Sequence, residues 1–113
     1  MKYTIILAFT YSPAWLQKTR AQREAFNAEH LRPIFAKYAA SVSVRFFDAE
    51  AFVARFSDFA IFETEDLRQY YYLIEELRDS PLFAGEIARI ADVFMGIEDG
   101  HQQFEADAKA AAR

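Results

Sequence analysis

The chain has 113 residues, of which 53% are hydrophobic and 17% aromatic, and its formal net charge is −4. A chain of this length fits one domain with its own core. The acidic balance and the lack of a basic block argue against nucleic acid or an anionic membrane as the main partner. The absence of cysteine excludes disulfides and thiolate ligands. The first apolar run is too short to span a bilayer, so we expect a cytoplasmic protein.

The first half of the chain predicts one strand and one interrupted helix. Apolar and polar residues alternate over Lys2–Tyr11, which is typical of a strand. Thr19 and Gln22 form a capping box that opens a helix running to about Ala39. Pro33 lies inside this helix, so we expect a kink or break at residues 31–32.

The second half predicts three further strands. The elements are, in chain order, a strand over 41–48, a strand over 58–64, a helix over about 66–78, a short turn over 81–85 and a strand over 87–97. The order strand, helix, strand, strand, helix, strand predicts an α+β protein with the ferredoxin-like βαββαβ fold, a four-stranded antiparallel sheet with both helices on one face. Residues 1–100 would form this single domain, followed by a helical or frayed tail over 101–113.

The sheet face away from the helices is too apolar to face water. By alternation, the second strand presents either Ser43, Arg45 and Phe47 or Val42, Val44 and Phe46 there, and the third presents either Ala60 and Phe62 or Phe59 and Ile61. Packing two such faces together would remove either set from water. The pattern therefore favours a homodimer formed through the open sheet face.

A candidate ligand site lies on the first long helix. Arg23, Asn27 and His30 share one helical face with Ile34 and Tyr38. Polar groups on the inward side of a helix must be paired or must line a wet cavity. Trp15, just before the helix, could wall such a cavity, so we expect a small-molecule site lined by Trp15, Arg23, Asn27 and His30. Alternatively, Pro33 changes the helix phase and this half is simply more exposed.

The run Tyr70-Tyr71-Tyr72 divides by helical phase. Leu67, Tyr70, Ile74 and Leu77 form one apolar stripe with Tyr70 at its centre. Tyr71 lies at the edge of that stripe and could contribute to ligand binding, whereas Tyr72 points outward.

No metal or cofactor is predicted. His30 and His101 are far apart, and no ligand pattern, phosphate loop or nucleophile motif occurs. The charges within the strands, at Arg45, Glu63, Arg89 and Asp92, are explained by cross-strand or cross-dimer ion pairs.

Several segments resemble the darcynin family, a group of small bacterial proteins of uncharacterised function. These are residues 42–52 (VSVRFFDAEAF), 57–64 (SDFAIFET), 70–80 (YYYLIEELRDS) and 96–100 (GIEDG), with Leu31–Phe35 and the early Pro13-Ala14-Trp15. The layout is also similar to the dimeric α+β barrel superfamily, which includes cofactor-free monooxygenases and haem-using enzymes. That similarity implies a fold and carries no catalytic residue to this chain.

Three functions remain open at this point. The first is a homodimeric barrel that binds a small apolar or aromatic molecule. The second is a cofactor-independent oxygenase or isomerase, with His30 as acid/base and Arg23 or Asn27 stabilising developing charge. The third is a structural or interaction protein without a ligand, whose cavity would be filled by side chains and whose Tyr72 would lie in a contact.

Overall fold

Four antiparallel strands form one sheet in the order β2-β3-β1-β4. The computed structural model describes residues 1–112. Its strands are β1 (Tyr3–Tyr11), β2 (Val42–Asp48), β3 (Asp58–Thr64) and β4 (Ala88–Gly96). Each begins and ends within one residue of the predicted strand, and the α+β, βαββαβ prediction is confirmed.

Six helices accompany the sheet. They are α1 (Pro13–Leu16), α2 (Arg20–Phe26), α3 (Arg32–Tyr38), α4 (Leu67–Asp79), α5 (Pro81–Ala84) and α6 (Gly100–Ala111). The buried core joins the strand side chains of one sheet face to residues of α3, α4 and α5, so these helices share one layer. The tail after residue 100 is helical as far as Ala111, and Arg113 lies outside the described residues.

A π-turn over Asn27–Leu31 separates α2 from α3. The backbone N–H of Arg32 donates to Asn27 O, five residues back, instead of to the carbonyl four residues back. Pro33 has no N–H to donate, so the regular hydrogen-bond ladder must change before it. The predicted interruption near residues 31–32 is confirmed, and the structure shows that it takes the form of a π-bulge.

Helix α4 buries most of the predicted stripe, because Tyr70, Ile74 and Leu77 pack against the core, but it adds Leu73 and leaves Leu67 out. The Asp66 carboxylate accepts a hydrogen bond from Arg68 N at 3.0 Å and caps the helix. Leu73, which is 1% exposed, is the most buried residue of α4, whereas Leu67 is 36% exposed. Leu67 stands at the first position of α4, and the buried stripe is centred nearer Leu73 and Leu77 than predicted. Tyr70 remains half-buried, with its ring centroid 5.4 Å from that of Phe62.

Strand register decides which residues face the helices. The buried side chains on the helix-facing side include Ile5, Leu7, Phe9, Val42, Ala60, Phe62 and Ala88. The opposite side carries the set Ser43, Arg45 and Phe47 from β2 with Phe59 and Ile61 from β3. Of the two alternatives that alternation allows for each strand, these are the ones that face away from the helices.

Strand β4 is covered least. Val93 and Met95 pair with the buried residues Leu7 and Ile5 and share their face, yet they are 46% and 53% exposed. The register shifts between Ala8 and Phe9, where β4 carries one extra residue. The helix layer therefore ends before this part of β4.

Helix α6 has no buried residue. The chain measures 61 × 31 × 19 Å with a radius of gyration of 17.0 Å, against roughly 13 Å for a compact domain of this length. No helix within residues 1–112 combines the length and apolar character needed to cross a membrane.

Candidate functional site

An aromatic cluster extends from the end of β1 to the π-turn. Tyr11 stacks on Trp15 with ring centroids 4.8 Å apart and planes 10° apart. Trp15 meets Phe26 edge-on at 5.4 Å, and Phe26 contacts His30 at 4.8 Å. Trp15 is only 6% exposed. These four rings, named here the aromatic cluster, pack against one another and leave little space between them.

Arg23 is committed to the backbone of α1. Its Nε donates to Trp15 O at 3.3 Å and its Nη2 donates to Leu16 O at 3.0 Å. The guanidinium carbon also lies 5.9 Å from the Trp15 ring centroid. The side chain thus satisfies the Leu16 carbonyl, which the end of the short helix leaves free, and adds a second hydrogen bond to Trp15 O, which also accepts from Lys18 N. This is a structural role.

Asn27 and His30 lie at the two ends of the π-turn. The Oδ1 atom of Asn27 is buried and accepts no hydrogen bond within the described residues. The His30 imidazole is 30% exposed, and its Nε2 lies 3.6 Å from the Glu29 carboxylate.

The structure therefore places Trp15, Arg23, Asn27 and His30 on one local unit. Tyr71 stands apart from them on α4, 60% exposed, with its ring edge-on to Tyr72 at 6.2 Å. This arrangement does not test the predicted lining role of these five residues, which stays a prediction.

A large opening lies beside β4. This space, the β4 cleft, measures about 830 Å³ and is lined by Thr10, Tyr11, Ser12, Pro13, Arg78, Phe83, Glu86, Ala88, Arg89, Ile90 and Val93. It forms because the helix layer stops at the end of α4 and at α5, while β4 continues beyond them. Tyr11 joins it to the aromatic cluster, since one ring takes part in both.

A second, narrower space lies inside the core. This interior pocket measures about 40 Å³ and has almost entirely apolar walls, including Leu7, Phe35, Phe62 and Leu82. Tyr11 and Phe83 line both it and the β4 cleft. These two rings therefore separate an amphipathic opening from an apolar interior.

Polar groups are concentrated in the wall of the β4 cleft. Arg78 and Arg89 bring two positive charges and Glu86 brings one negative charge. Thr10 and Ser12 also belong to the lining, and their hydroxyls are buried without a hydrogen-bond partner in the described residues. Glu86 has a φ of 58°, a left-handed conformation that costs energy for a residue with a Cβ. Such strain is often found beside functional sites.

Three carboxylates meet where β2 ends and β3 begins. Asp48 faces Asp58 across the two strands, and with Glu50 each offers an oxygen within 4.8 Å of the others. Burial, together with Asp48 and Glu50, raises the pKa of Asp58 to about 6. Burial also raises the pKa of Tyr11 to about 12, with further contributions from Asp58 and Asp48. The fold thus favours the neutral form of the Asp58 carboxyl.

The open sheet face has an apolar centre. It comprises Ile6, Ala8, Phe47, Phe59, Ile61 and Phe94, and the Phe47 and Phe59 rings stack at 4.8 Å. Glu63 at its rim pairs with Lys2 at 2.8 Å and Arg45 at 3.4 Å. The predicted ion pair is therefore present for Arg45 and Glu63. Within residues 1–112, Arg89 and Asp92 form none.

Sequence reasoning missed the β4 cleft. Its residues come from β1, α4, α5 and β4, and only the register and the bulge opposite Ala8 bring them together. The one available signal was the alternation of Arg89 with apolar neighbours, which ion pairing seemed to explain. Asp58 was missed as a neighbour of Asp48 for the same reason, since their proximity depends on the β2–β3 register.

Comparison with known proteins gives a consistent family. A family model described as "Darcynin, domain of unknown function" matches residues 2–112. A darcynin of Chromobacterium violaceum is 47% identical over 76 residues, which cover 67% of this chain and 95% of that protein. Darcynin 1 of Acinetobacter baumannii is 42% identical over 86 residues, which cover 76% and 94%.

Solved structures share the fold. A novel heme-binding protein from Thermus thermophilus superposes with a TM-score of 0.77 at 16% identity and covers 90% of this chain. A chlorite dismutase from Candidatus Nitrospira defluvii, in complex with imidazole, superposes with a TM-score of 0.72 at 10% identity and covers 84% of this chain. This chain spans 43% and 39% of those two chains. At these identities the likeness shows the fold alone.

Proposed function

The chain belongs to the darcynin family, and we propose that it binds a small molecule in the β4 cleft and works as a homodimer. The observation that carries the proposal is the cleft itself, about 830 Å³ of open space between β4 and the helix layer. Ligand sites are typically concave, roughly 300–1,000 Å³, and lined by apolar side chains with a few polar groups. The β4 cleft has this size and this mixture.

The walls suit a partly apolar or aromatic ligand. Phe83, Ile90 and Val93 offer apolar contacts, and Tyr11 offers a ring held in place by its stack on Trp15. A preformed wall lowers the entropy lost on binding, because the ring does not have to be ordered by the ligand. The aromatic cluster would then support the site from behind, with Trp15 and Arg23 fixing the position of Tyr11.

The fold neighbours include a heme-binding protein, but the residues of this chain do not fit haem. Haem iron is usually held by His, Cys, Met or Tyr. The sequence has two histidines, two methionines and no cysteine, and none of His30, His101, Met1 and Met95 lines the β4 cleft. Tyr11 does line it, but a pKa of about 12 disfavours the phenolate that would bind iron. The proposed ligand is therefore an organic molecule held without a metal.

The other two functions have less support from the geometry. An enzyme based on His30 would need this residue and Arg23 to reach a ligand, yet His30 contacts Phe26 and Glu29, and Arg23 is bound to two carbonyl groups. A purely structural protein would be expected to fill the space beside β4. Binding is therefore the function that the open cleft favours, and the cytoplasmic location expected from the sequence remains part of the proposal.

The homodimer is proposed from the open sheet face. Its apolar centre is bordered by charges of both signs, among them Arg45, Glu63 and Asp92. A twofold axis brings the same surface onto itself, so a patch with both signs at its rim can pair with its own copy. The exposed α6 and the radius of gyration of 17.0 Å also suit a chain that completes its packing against a second copy.

The binding proposal is tested with a neutral fluorescent probe, N-phenyl-1-naphthylamine, which brightens in apolar surroundings. Wild type should bind the probe with saturation. Val93→Trp, which fills the β4 cleft, should weaken binding by at least about 10-fold. Met95→Trp is the matched control, because Met95 lies on the same face of the same strand but does not line the cleft.

The proposal fails if wild type shows no saturable binding, or if both tryptophan variants bind the probe as wild type does. Loss of binding in both variants would also contradict it, because the probe would then bind the exposed half of β4 in general.

A further inference from the structure

Arg78 and Arg89 are two cations without an acidic partner. Four other basic side chains, Lys2, Arg32, Lys37 and Arg45, form ion pairs with glutamates. Neither Arg78 nor Arg89 forms one with any acid of residues 1–112, although both line the β4 cleft. Arg78 lies in the last turn of α4, where a positive charge also favours the helix end. Arg89 belongs to an edge strand and has no such role.

The cleft therefore carries a net positive charge. Glu86 is the one acid in its lining, against two arginines. Guanidinium groups bind carboxylates, sulfonates and phosphates through planar, charge-assisted hydrogen bonds. A cleft with apolar walls strengthens such contacts, because water screens them less.

Two residues of the cleft lining, Thr10 and Ser12, also have buried hydroxyls without partners within residues 1–112. Thr10 Oγ1 and Ser12 Oγ are buried and form no hydrogen bond within the described residues. Buried polar atoms without a partner are uncommon in native structures.

We propose that the ligand of the β4 cleft is an organic anion with an apolar body, whose acidic group is bound by Arg78 and Arg89. This inference rests on the proposed binding function and adds the class of ligand. The apolar part would lie against Phe83, Ile90 and Val93. The negative group would then complete the interactions that the two arginines lack.

The test compares two probes that differ by one charged group. The sulfonated dye 8-anilino-1-naphthalenesulfonate has nearly the same ring system as N-phenyl-1-naphthylamine and adds a negative charge. Both are titrated into wild type, Arg78→Gln, Arg89→Gln and the double variant. Arg68→Gln is the control, because Arg68 is exposed on α4 and does not line the cleft. Two-dimensional amide NMR spectra show which residues each probe reaches.

Wild type should bind the sulfonated probe more tightly than the neutral one. Each arginine-to-glutamine variant should weaken binding of the sulfonated probe by about 10-fold, which is the effect of losing one charge-assisted hydrogen bond. Binding of the neutral probe should stay unchanged. Glu86→Gln should strengthen the sulfonated probe, since it removes the opposing charge. Amide shifts should appear at Ser12 and Ala88.

The outcomes separate the two proposals. If neither probe binds in the cleft, the proposed function itself is wrong. If the neutral probe binds there but the sulfonated one is not preferred, or if the glutamine variants weaken both probes equally, binding stands and the anion inference is overturned. An equal loss in Arg68→Gln would also overturn it, because a general change in surface charge would then explain the result.

Discussion

The three carboxylates that meet where β2 ends and β3 begins predict that Asp58→Asn stabilises the protein at neutral pH. Asp58 lies opposite Asp48, and Glu50 is close to both. Burial and these neighbours raise its pKa from the ordinary value of 3.8 to about 6. The folded state therefore prefers the neutral carboxyl, which asparagine imitates without a charge.

The sign and size follow from linkage between protonation and folding. The pKa of Asp58 is higher in the folded state than in the unfolded state. Protonated Asp58 therefore stabilises the wild type fully below about pH 3.8, and this contribution is lost as the pH rises through about 6. A shift of about two units corresponds to about 3 kcal/mol at most. Asp58 keeps contact with solvent, so screening lowers this, and we expect Asp58→Asn to gain about 1 kcal/mol near neutral pH.

The measurement is urea unfolding of both proteins at about pH 4 and about pH 7.5, with the free energy of unfolding compared at each. The gain should be present at the higher pH and absent at the lower one. Glu105→Gln on the exposed α6 is the control and should change the free energy equally at both values. A loss of stability in Asp58→Asn at about pH 7.5 would refute the reasoning. It would mean that the folded protein stabilises the ionised Asp58 carboxylate, whereas burial and the neighbouring acids should destabilise it.

Two further changes test the packing and the assembly. Gly85→Ala should destabilise the protein by roughly 1–3 kcal/mol, because the added Cβ would overlap the Pro81 carbonyl oxygen. Gly96→Ala is the control and should change the free energy of unfolding little, because no atom lies within 4 Å of its added Cβ. Equal losses of stability in the two variants would contradict this account. Ile61→Glu, at the apolar centre of the open sheet face, should convert the dimer into a 13.1 kDa monomer in sedimentation velocity. Ser43→Glu, at the rim of the same face, should leave the dimer intact. A monomeric wild type would refute the proposed interface.

The order and limits of the main elements could be predicted because each depends on local chemistry. The alternation over β1, the capping box at Thr19 and the missing N–H of Pro33 act within a few residues of themselves. The structure confirms a capping box in which Thr19 Oγ1 accepts from Gln22 N at 3.1 Å. Local signals of this kind survive folding because no distant contact has to be known.

Features that depend on register or on coverage could not be predicted. Alternation left two choices for the outward face of β2, and only pairing with β3 selects Phe47 over Phe46. Similarly, nothing local shows that Leu73 would be the most buried residue of α4 while Leu67 stays exposed. The β4 cleft is the strongest example, since it results from where the helix layer ends.

The candidate site predicted from the first helix and the cleft found beside β4 meet at Tyr11. Its ring lines the cleft and stacks on Trp15, while Arg23 holds the carbonyl groups at the end of α1. Asp58 contributes to the raised pKa of the Tyr11 hydroxyl. Polar residues on the inward side of the first helix thus have a use without touching a ligand, because they help to fix one of the two rings that separate the cleft from the interior. Their effect on binding should therefore pass through the position of Tyr11.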